Sequence, residues 1–212
     1  MISDFCSTHH HWDHTGGNLE LKKKGGVKVY GAESDKERIP GIDVALKPEE
    51  TLAFGKTNCQ IIDVGGHTTG HIAYHFDDEN VVFVGDALFS LGCGKMFEGT
   101  PSMYWSSLKR LRDLSDDTAV YCAHEYTMSN AKFAVSVEPG NASLQKRYEE
   151  IVEKRKKGEP TVPSLMGEEK ETNPFLRGDI SAEIRKNVGA ENDDDSSVIF
   201  GKIRKAKDNF RG

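Results

Sequence analysis

Thr8-His9-His10-His11-Trp12-Asp13-His14 stands near the start of the chain and carries four metal-capable side chains in the spacing His-x-His-x-Asp-His. Neutral imidazoles suit zinc and other transition ions, and a carboxylate can bridge two ions. This loop therefore predicts a dinuclear metal site, completed by histidines and a shared aspartate from elsewhere. Ile2, Phe5 and Cys6 precede the loop and indicate the end of a buried strand that delivers the ligands at its tip.

Further metal-capable residues lie in three later segments, and each segment follows a predicted strand. Residues 59–64, 81–84 and 119–122 are short and apolar or alternating, as strands are. The ligand candidates that follow them are His67 in Gly65-Gly66-His67-Thr68-Thr69-Gly70-His71, Asp86 in Gly85-Asp86-Ala87-Leu88-Phe89, and His124 in Ala123-His124-Glu125-Tyr126.

The remaining pattern predicts an α+β fold with a helical C-terminal region. Strands are indicated at 27–31, 51–54 and 72–76, and helices at 19–24, 143–157 and 195–209. A further helix begins at Pro101 and places Met103, Leu108, Leu111 and Leu114 near one face. We predict a metal-binding domain over residues 1–129 and a helical substrate-binding region over residues 130–212.

Composition excludes several classes of function. Lys and Arg number 28 against 34 Asp and Glu, so a net charge of -6 gives no basis for binding a phosphate backbone. The four cysteines contain no C-x-x-C pair, which argues against a thiolate zinc site and a disulfide framework. No apolar run reaches the roughly 18 residues of a membrane span, and no leader or transit pattern is present, so we expect a cytoplasmic protein.

The motifs together resemble the metallo-β-lactamase superfamily and, within it, the glyoxalase II (hydroxyacylglutathione hydrolase) family. The resemblance covers nearly the whole chain. It implies an αββα sandwich with a C-terminal helical region. The segments that carry it are Thr-His-His-His-Trp-Asp-His, Gly-Asp-Ala-Leu-Phe, Gly92-Cys93-Gly94-Lys95, His124-Glu125-Tyr126 and Val137-Glu138-Pro139-Gly140-Asn141.

The resemblance also implies the metal ligands. His9, His11 and His67 would hold one divalent ion, Asp13, His14 and His124 the other, and Asp86 would bridge both. A bridging water or hydroxide would be the nucleophile, which gives Asp86 and Asp13 their predicted catalytic role. Zinc is the expected metal, with iron and manganese as alternatives.

The implied reaction is hydrolysis of S-(2-hydroxyacyl)glutathione thioesters, such as S-D-lactoylglutathione, to glutathione and a 2-hydroxy acid such as D-lactate. This is the thioesterase step of methylglyoxal detoxification, and we expect the enzyme to act as a monomer. Phe97 departs from the tyrosine common in the family, which removes one hydroxyl hydrogen bond. The family's glutathione-binding positions correspond to Lys95, Phe97, Tyr126, Arg204 and Lys207.

The start of the chain departs from the family, whose strands before the histidine motif build one half of the sandwich. We therefore expect an N-terminally truncated sandwich with unpaired strand edges and an exposed apolar face. Two alternatives stay open beside the thioesterase. One is a relative of the mononuclear-iron persulfide dioxygenases, and the other is an inactive, truncated metal-binding form.

Several other polar residues have plainer explanations. His10 is expected to support the ligand loop, and His71 either tunes His67 or makes a structural hydrogen bond in its turn. Cys93 is expected to be a small buried residue, and Glu125 is a weaker candidate for an acid or base. Residues 193–196 are expected to cap the last helix.

Overall fold

Two β-sheets lie face to face in this computed structural model, which describes residues 4–212. The strands are β1 Asp4–Cys6, β2 Lys28–Ala32, β3 Val44–Leu46, β4 Thr51–Phe54, β5 Thr57–Asp63, β6 Ile72–Phe76, β7 Val81–Gly85, β8 Leu88–Phe89, β9 Gly92–Cys93, β10 Ala119–Cys122 and β11 Ser164–Leu165. The smaller sheet has three parallel strands in the order β1-β2-β3, and the larger has six in the order β11-β10-β7-β6-β5-β4. β8 and β9 form a separate antiparallel hairpin.

Helices cover the outer faces of the sheets. The helix Asn18–Gly25 packs on the smaller sheet through β2, and the later helices pack on the larger sheet. The result is the predicted α-β-β-α order of layers. The helices are α1 Trp12–Thr15, α2 Asn18–Gly25, α3 Pro101–Arg112, α4 Thr127–Val137, α5 Ala142–Lys156, α6 Met166–Thr172, α7 Pro174–Arg177, α8 Ala182–Asn187 and α9 Ser196–Asn209, with short 3-10 turns at Glu33–Asp35 and Asp77–Glu79.

The core has one layer between the sheets and a larger one under the helices. Cys59, Ile61 and Tyr74 lie between the two sheets. The larger layer joins β7 to helices on both sides of residue 130, because Val84 packs in the same cluster as Phe133, Phe175 and Phe200. The domain boundary predicted between residues 129 and 130 falls inside α4.

Local sequence signals explain how α3 and α9 begin. Thr100 accepts a hydrogen bond from the Met103 amide, and Pro101 occupies the first position of α3. Asp195 accepts hydrogen bonds from the Ser197 and Val198 amides, so the predicted cap of the last helix is confirmed. Met103, which the spacing places near one face with Leu108 and Leu111, is 40% exposed on α3, whereas Leu108 and Leu111 are buried.

An apolar groove runs beside β1, where the smaller sheet leaves part of the larger one uncovered. Phe83 of β7 and Tyr121 of β10 stack with ring centroids 5.1 Å apart and are 42% and 37% exposed. Phe5, Phe54 and other residues line the rest of this groove of about 560 Å³. The expected exposed apolar face is therefore present. Among the helices of residues 4–212, none is long and apolar enough to cross a bilayer.

We expect Leu108→Ala to lower the free energy of unfolding by about 2–5 kcal/mol, because Leu108 is fully buried and its loss leaves a cavity under the larger sheet. Urea denaturation measures the change. Met103→Ala on the same helix is the control and should cost less than about 1 kcal/mol. Equal losses for the two variants would contradict the placement of the core.

Candidate metal centre

All seven predicted ligands come together at one edge of the sandwich, because each follows a strand that ends there. The loop after β1 and the short helix α1 carry His9, His11, Asp13 and His14. The other three ligands, His67, Asp86 and His124, follow β5, β7 and β10.

The first group of ligands comprises His9, His11 and His67, whose donor atoms all lie within 4.8 Å of one another. The Nδ1 of His67 lies 2.7 Å from the Lys95 carbonyl, which can only accept, so this nitrogen carries the proton. The Nε2 lone pair of His67 then faces His11 Nδ1 at 3.0 Å. A shared cation suits two such lone pairs.

The second group of ligands comprises Asp13, His14 and His124. Oδ2 of Asp13 lies 3.4 Å from His14 Nε2 and 3.3 Å from His124 Nε2. One carboxylate oxygen and two imidazole nitrogens therefore converge on one point, as in a transition-metal site.

Asp86 lies between the two groups, with one oxygen towards each. Its Oδ2 is 3.5 Å from His67 Nε2, while its Oδ1 is 3.4 Å from His14 Nε2 and 3.5 Å from His124 Nε2. The two oxygens of one carboxylate thus point to different ligand groups. This is the geometry that a bridging aspartate requires.

The protonation and burial of these residues fit a divalent metal. Burial lowers the pKa of His9, His11 and His14, and it lowers that of His67 to about 4, so the imidazoles are neutral near pH 7. Burial raises the pKa of the Asp86 carboxyl. Three buried ligand atoms lack a hydrogen-bond partner, which is costly unless a cation binds them. They are His9 Nε2, His14 Nε2 and Asp86 Oδ1.

Two buried side chains hold Asp86 from behind. His71 accepts a hydrogen bond from the Asp86 amide at 3.1 Å, and its ring stacks on that of His9 with centroids 4.5 Å apart. Tyr104 of α3 donates to the carbonyls of Asp86 and Ala87 at 3.2 and 2.9 Å. His71 therefore contacts Asp86 and His9 directly, while its ring lies 6.1 Å from that of His67.

Glycines permit the close packing at Asp86. Gly85 has φ +52°, a left-handed conformation that L side chains rarely adopt. At Gly94, a Cβ would lie 2.1 Å from the Asp86 carbonyl and 2.8 Å from His67 Nδ1. The Gly-Asp and Gly-Cys-Gly motifs thus allow the loops to approach the ligands.

A pocket of about 330 Å³ opens above the ligands. Tyr126 stacks on His124 with ring centroids 5.0 Å apart, and the Lys95 ammonium lies 5.4 Å from the centre of the Phe97 ring. Phe97 and Tyr126 are 60% and 51% exposed, so both rings are accessible to a ligand. The walls comprise His11, Asp13, His67, Asp86, Phe89, Gly94, Lys95, Phe97, His124 and Tyr126.

Arg204 and Lys207 lie on α9 and are not among the residues that line this pocket. The buried Arg204 guanidinium donates to the Cys93 carbonyl at 2.9 Å, beneath the loop that carries Lys95. Lys207 Nζ donates to the carbonyl and hydroxyl of Ser129, at 3.0 and 3.1 Å. The two residues therefore adjoin segments of the pocket wall.

Other predictions have plain outcomes. Cys93 is a buried free cysteine, as expected. Glu125 accepts hydrogen bonds from the Thr161 amide and hydroxyl and is not part of the pocket wall. Sequence reasoning missed Phe89 as a wall residue, although the Gly-Asp-Ala-Leu-Phe motif contains it, and missed Tyr104 as a support of Asp86.

Comparison with known families agrees with this geometry. Residues 2–124 match the family described as the metallo-beta-lactamase superfamily, and residues 125–210 match the family described as hydroxyacylglutathione hydrolase C-terminus. The chain belongs to the hydroxyacylglutathione hydrolase family. A hydroxyacylglutathione hydrolase of Methylococcus capsulatus is 52% identical over 100% of this chain and 82% of its own length. One from Hyphomonas neptunium is 48% identical over 99% of this chain and 80% of its own length.

Solved structures share the fold of this family member. ETHE1 from Myxococcus xanthus superposes with a TM-score of 0.61 at 23% identity, over 98% of this chain and 77% of that chain. TTHA1623 in a di-iron-bound form superposes with a TM-score of 0.55 at 24% identity, over 81% of this chain and 76% of that chain. At these identities, the likeness shows the shared fold alone.

We expect Asp86→Ala to lose metal from both ligand groups, because its two carboxylate oxygens lie near ligands of each group. The affinity should fall by more than the roughly 10–100-fold that follows loss of a residue supporting a ligand. His124→Ala is the matched comparison and should release metal from the second group only. Inductively coupled plasma mass spectrometry of dialysed protein measures both. If the two variants retain equal metal, Asp86 does not join the groups.

Proposed function

We propose that this chain hydrolyses S-(2-hydroxyacyl)glutathione thioesters, such as S-D-lactoylglutathione, to glutathione and a 2-hydroxy acid such as D-lactate. The observation that carries the proposal is the position of Asp86. It lies between two ligand groups at the base of a pocket whose outer wall includes Lys95, Phe97 and Tyr126. Relatives at 48–52% identity bear the name of this activity.

The donor set is suited to two divalent ions, and zinc is our proposed metal, with iron and manganese as alternatives. His9, His11 and His67 would hold one ion and Asp13, His14 and His124 the other, with Asp86 shared. When bound, such ions lower the pKa of a shared water and polarise the substrate carbonyl.

Hydrolysis breaks the thioester C–S bond, forms a C–O bond to water and leaves a proton for the glutathione sulfur. The chain's part is to hold the acyl group over Asp86 and to bind the glutathione portion along the wall. The exposed rings of Phe97 and Tyr126 offer apolar contact, and the Lys95 ammonium offers a charge to a glutathione carboxylate. Phe97 has no hydroxyl, so this ring contributes packing alone.

Arg204 and Lys207 complete the proposed glutathione site from α9. Lys207 already donates to Ser129, three residues after Tyr126, and its ammonium can turn to a carboxylate from there. Arg204 acts next to the Lys95 loop, through its contact with the Cys93 carbonyl. We thus propose that residues 1–129 bind metal and that residues 130–212 contribute to substrate binding.

The direct test is turnover of S-D-lactoylglutathione by the purified, metal-loaded chain, with bound metal quantified on the same sample. We expect hydrolysis with about two ions per chain, and Asp86→Ala should reduce kcat by at least about 100-fold because both ligand groups lose their shared carboxylate. Phe83→Ala, outside the pocket, is the control. One iron per chain with oxygen consumption would instead indicate a persulfide dioxygenase. Folded, metal-loaded and inactive protein would refute the proposal.

Lys207 should give the reaction a pH dependence. Burial, followed by the nearby Arg204 charge, lowers the pKa of Lys207 to about 8. Lys207 is charged below this pH and neutral above it, so kcat/KM should fall as the pH rises through about 8. In Lys207→Arg the side chain stays charged, and this fall should disappear. Identical pH profiles for the two proteins would exclude a role for the Lys207 charge.

A further inference from the structure

A cluster of charged side chains lies beside the pocket and outside the two ligand groups. We call it the Arg38 cluster, and it comprises Asp35, Arg38 and Glu98, with His10 and Thr69 bound to them. None of these residues lines the pocket or belongs to the ligand groups.

The carboxylate of Asp35 forms the buried end of the cluster, with 1% of its side chain exposed. Its Oδ2 lies 2.8 Å from His10 Nδ1, and its Oδ1 accepts from the Arg38 guanidinium. A Cβ on Gly70 would lie 2.1 Å from the same carboxylate, so the backbone after His67 packs directly on Asp35. Asp35 therefore contacts both histidine loops.

The carboxylate of Glu98 forms the outer end of the cluster. It accepts from Arg38 Nη1 at 2.6 Å, from the Thr69 amide at 2.8 Å and from the Thr69 hydroxyl at 3.0 Å. Although partial burial opposes the change, the hydrogen bonds from Arg38 and Thr69 lower the pKa of Glu98 to about 2. Glu98 is therefore ionised over the whole working range of pH.

The cluster joins three loops at residues adjacent to functional ones. His10 precedes His11, Thr69 lies two residues after His67, and Glu98 follows Phe97. Two backbone hydrogen bonds join two of the same loops. The Phe97 amide donates to the His67 carbonyl at 3.2 Å, and the Gly99 amide donates to the Gly66 carbonyl at 3.3 Å. Residues 95–99 are therefore held over the first ligand group by these backbone bonds, by the bond between His67 and the Lys95 carbonyl, and by the side-chain contacts of Glu98.

We propose that Arg38 and Glu98 are positioning residues for the hydrolysis, which fix the 95–99 loop so that Lys95 and Phe97 meet the glutathione portion of the substrate. This inference rests on the proposed function. Neither residue touches the pocket, and both side chains are partly exposed, at 39% and 27%. A partly exposed ion pair adds little to overall stability, so we expect this pair to act mainly on loop position.

Replacement of Glu98 provides the test. Glu98→Ala removes the acceptor for Arg38 and Thr69, and we expect KM for S-D-lactoylglutathione to rise roughly ten-fold, the equivalent of one charge-assisted hydrogen bond. The kcat should stay within about three-fold, because the metal ligands remain. Glu98→Gln keeps an oxygen acceptor for Thr69 and should recover part of the KM.

The control is Glu33→Ala. Glu33 lies on the same short helix as Asp35, but its carboxylate has only a long contact of 3.7 Å with the Lys47 ammonium. Its KM should match that of the wild type. Arg38→Ala should also raise KM, and the double variant should raise KM by less than the product of the two single effects, because both changes remove the Arg38–Glu98 ion pair. Thermal melting and metal content should be unchanged in Glu98→Ala and Glu33→Ala.

Binding of S-hexylglutathione, measured by calorimetry, separates this inference from the proposed function. A wild-type chain that binds the probe without turnover refutes the hydrolase, while a roughly ten-fold weaker Kd in Glu98→Ala still supports the positioning role. An unchanged KM and Kd in Glu98→Ala overturn that role, as does a loss of kcat alone or of metal. A wild-type chain with neither binding nor turnover overturns both proposals.

Discussion

The candidate site depends on one constraint, namely that Asp86 presents its two carboxylate oxygens to two different groups of candidate ligands. Burial favours neutral histidines, and the buried Asp86 Oδ1 and His9 Nε2 have no hydrogen-bond partner. Such atoms are costly in a folded protein unless a cation binds them, so the ligand groups and the metals require each other. Two buried side chains keep the Asp86 backbone in the position that this arrangement needs. His71 holds its amide and Tyr104 holds its carbonyl, which leaves the carboxylate free to bridge.

The layers of the sandwich perform separate tasks around this point. The strand ends place the ligands, and the helices under the larger sheet hold the loops that form the pocket. A buried network illustrates the second task. Glu169 of α6 accepts from the Leu91 amide and pairs with Arg147 of α5, while Asn173 donates to the Phe89 and Gly92 carbonyls. The C-terminal helices therefore fix the hairpin between Asp86 and Lys95, and they share a core with the sheet.

The stacked rings of Phe83 and Tyr121 beside β1 leave apolar surface uncovered. The chain spans 79–82% of the length of the relatives it matches.

Two kinds of interaction hold the pocket, and they differ in what they contribute. Around the ligands, buried contacts fix atoms that tolerate no displacement. On the substrate side, Phe97 and Tyr126 are exposed, and their loops are held from outside by partly exposed charges such as Arg38 and Glu98. Exposed charges add little stability. Their contribution is geometric, because a small displacement of a positioning group can cost a large factor in rate.

The sequence by itself determined the family, the candidate ligands and most of the regular structure. Candidate metal ligands are chemically rare side chains in fixed spacing, so His9, His11 and Asp13 are recognisable before any fold is known. Short apolar segments predicted β6 and β7, and a charge-rich segment predicted α9. The tertiary structure decided everything that depends on neighbours distant in the chain. Met103 has the residue type and spacing of the buried face of α3 but is exposed. His71 binds the Asp86 amide 15 residues away, and Arg38 and Glu98 meet across 60 residues. No local pattern encodes such contacts, because they arise only when separate loops are brought to the same edge of the sandwich.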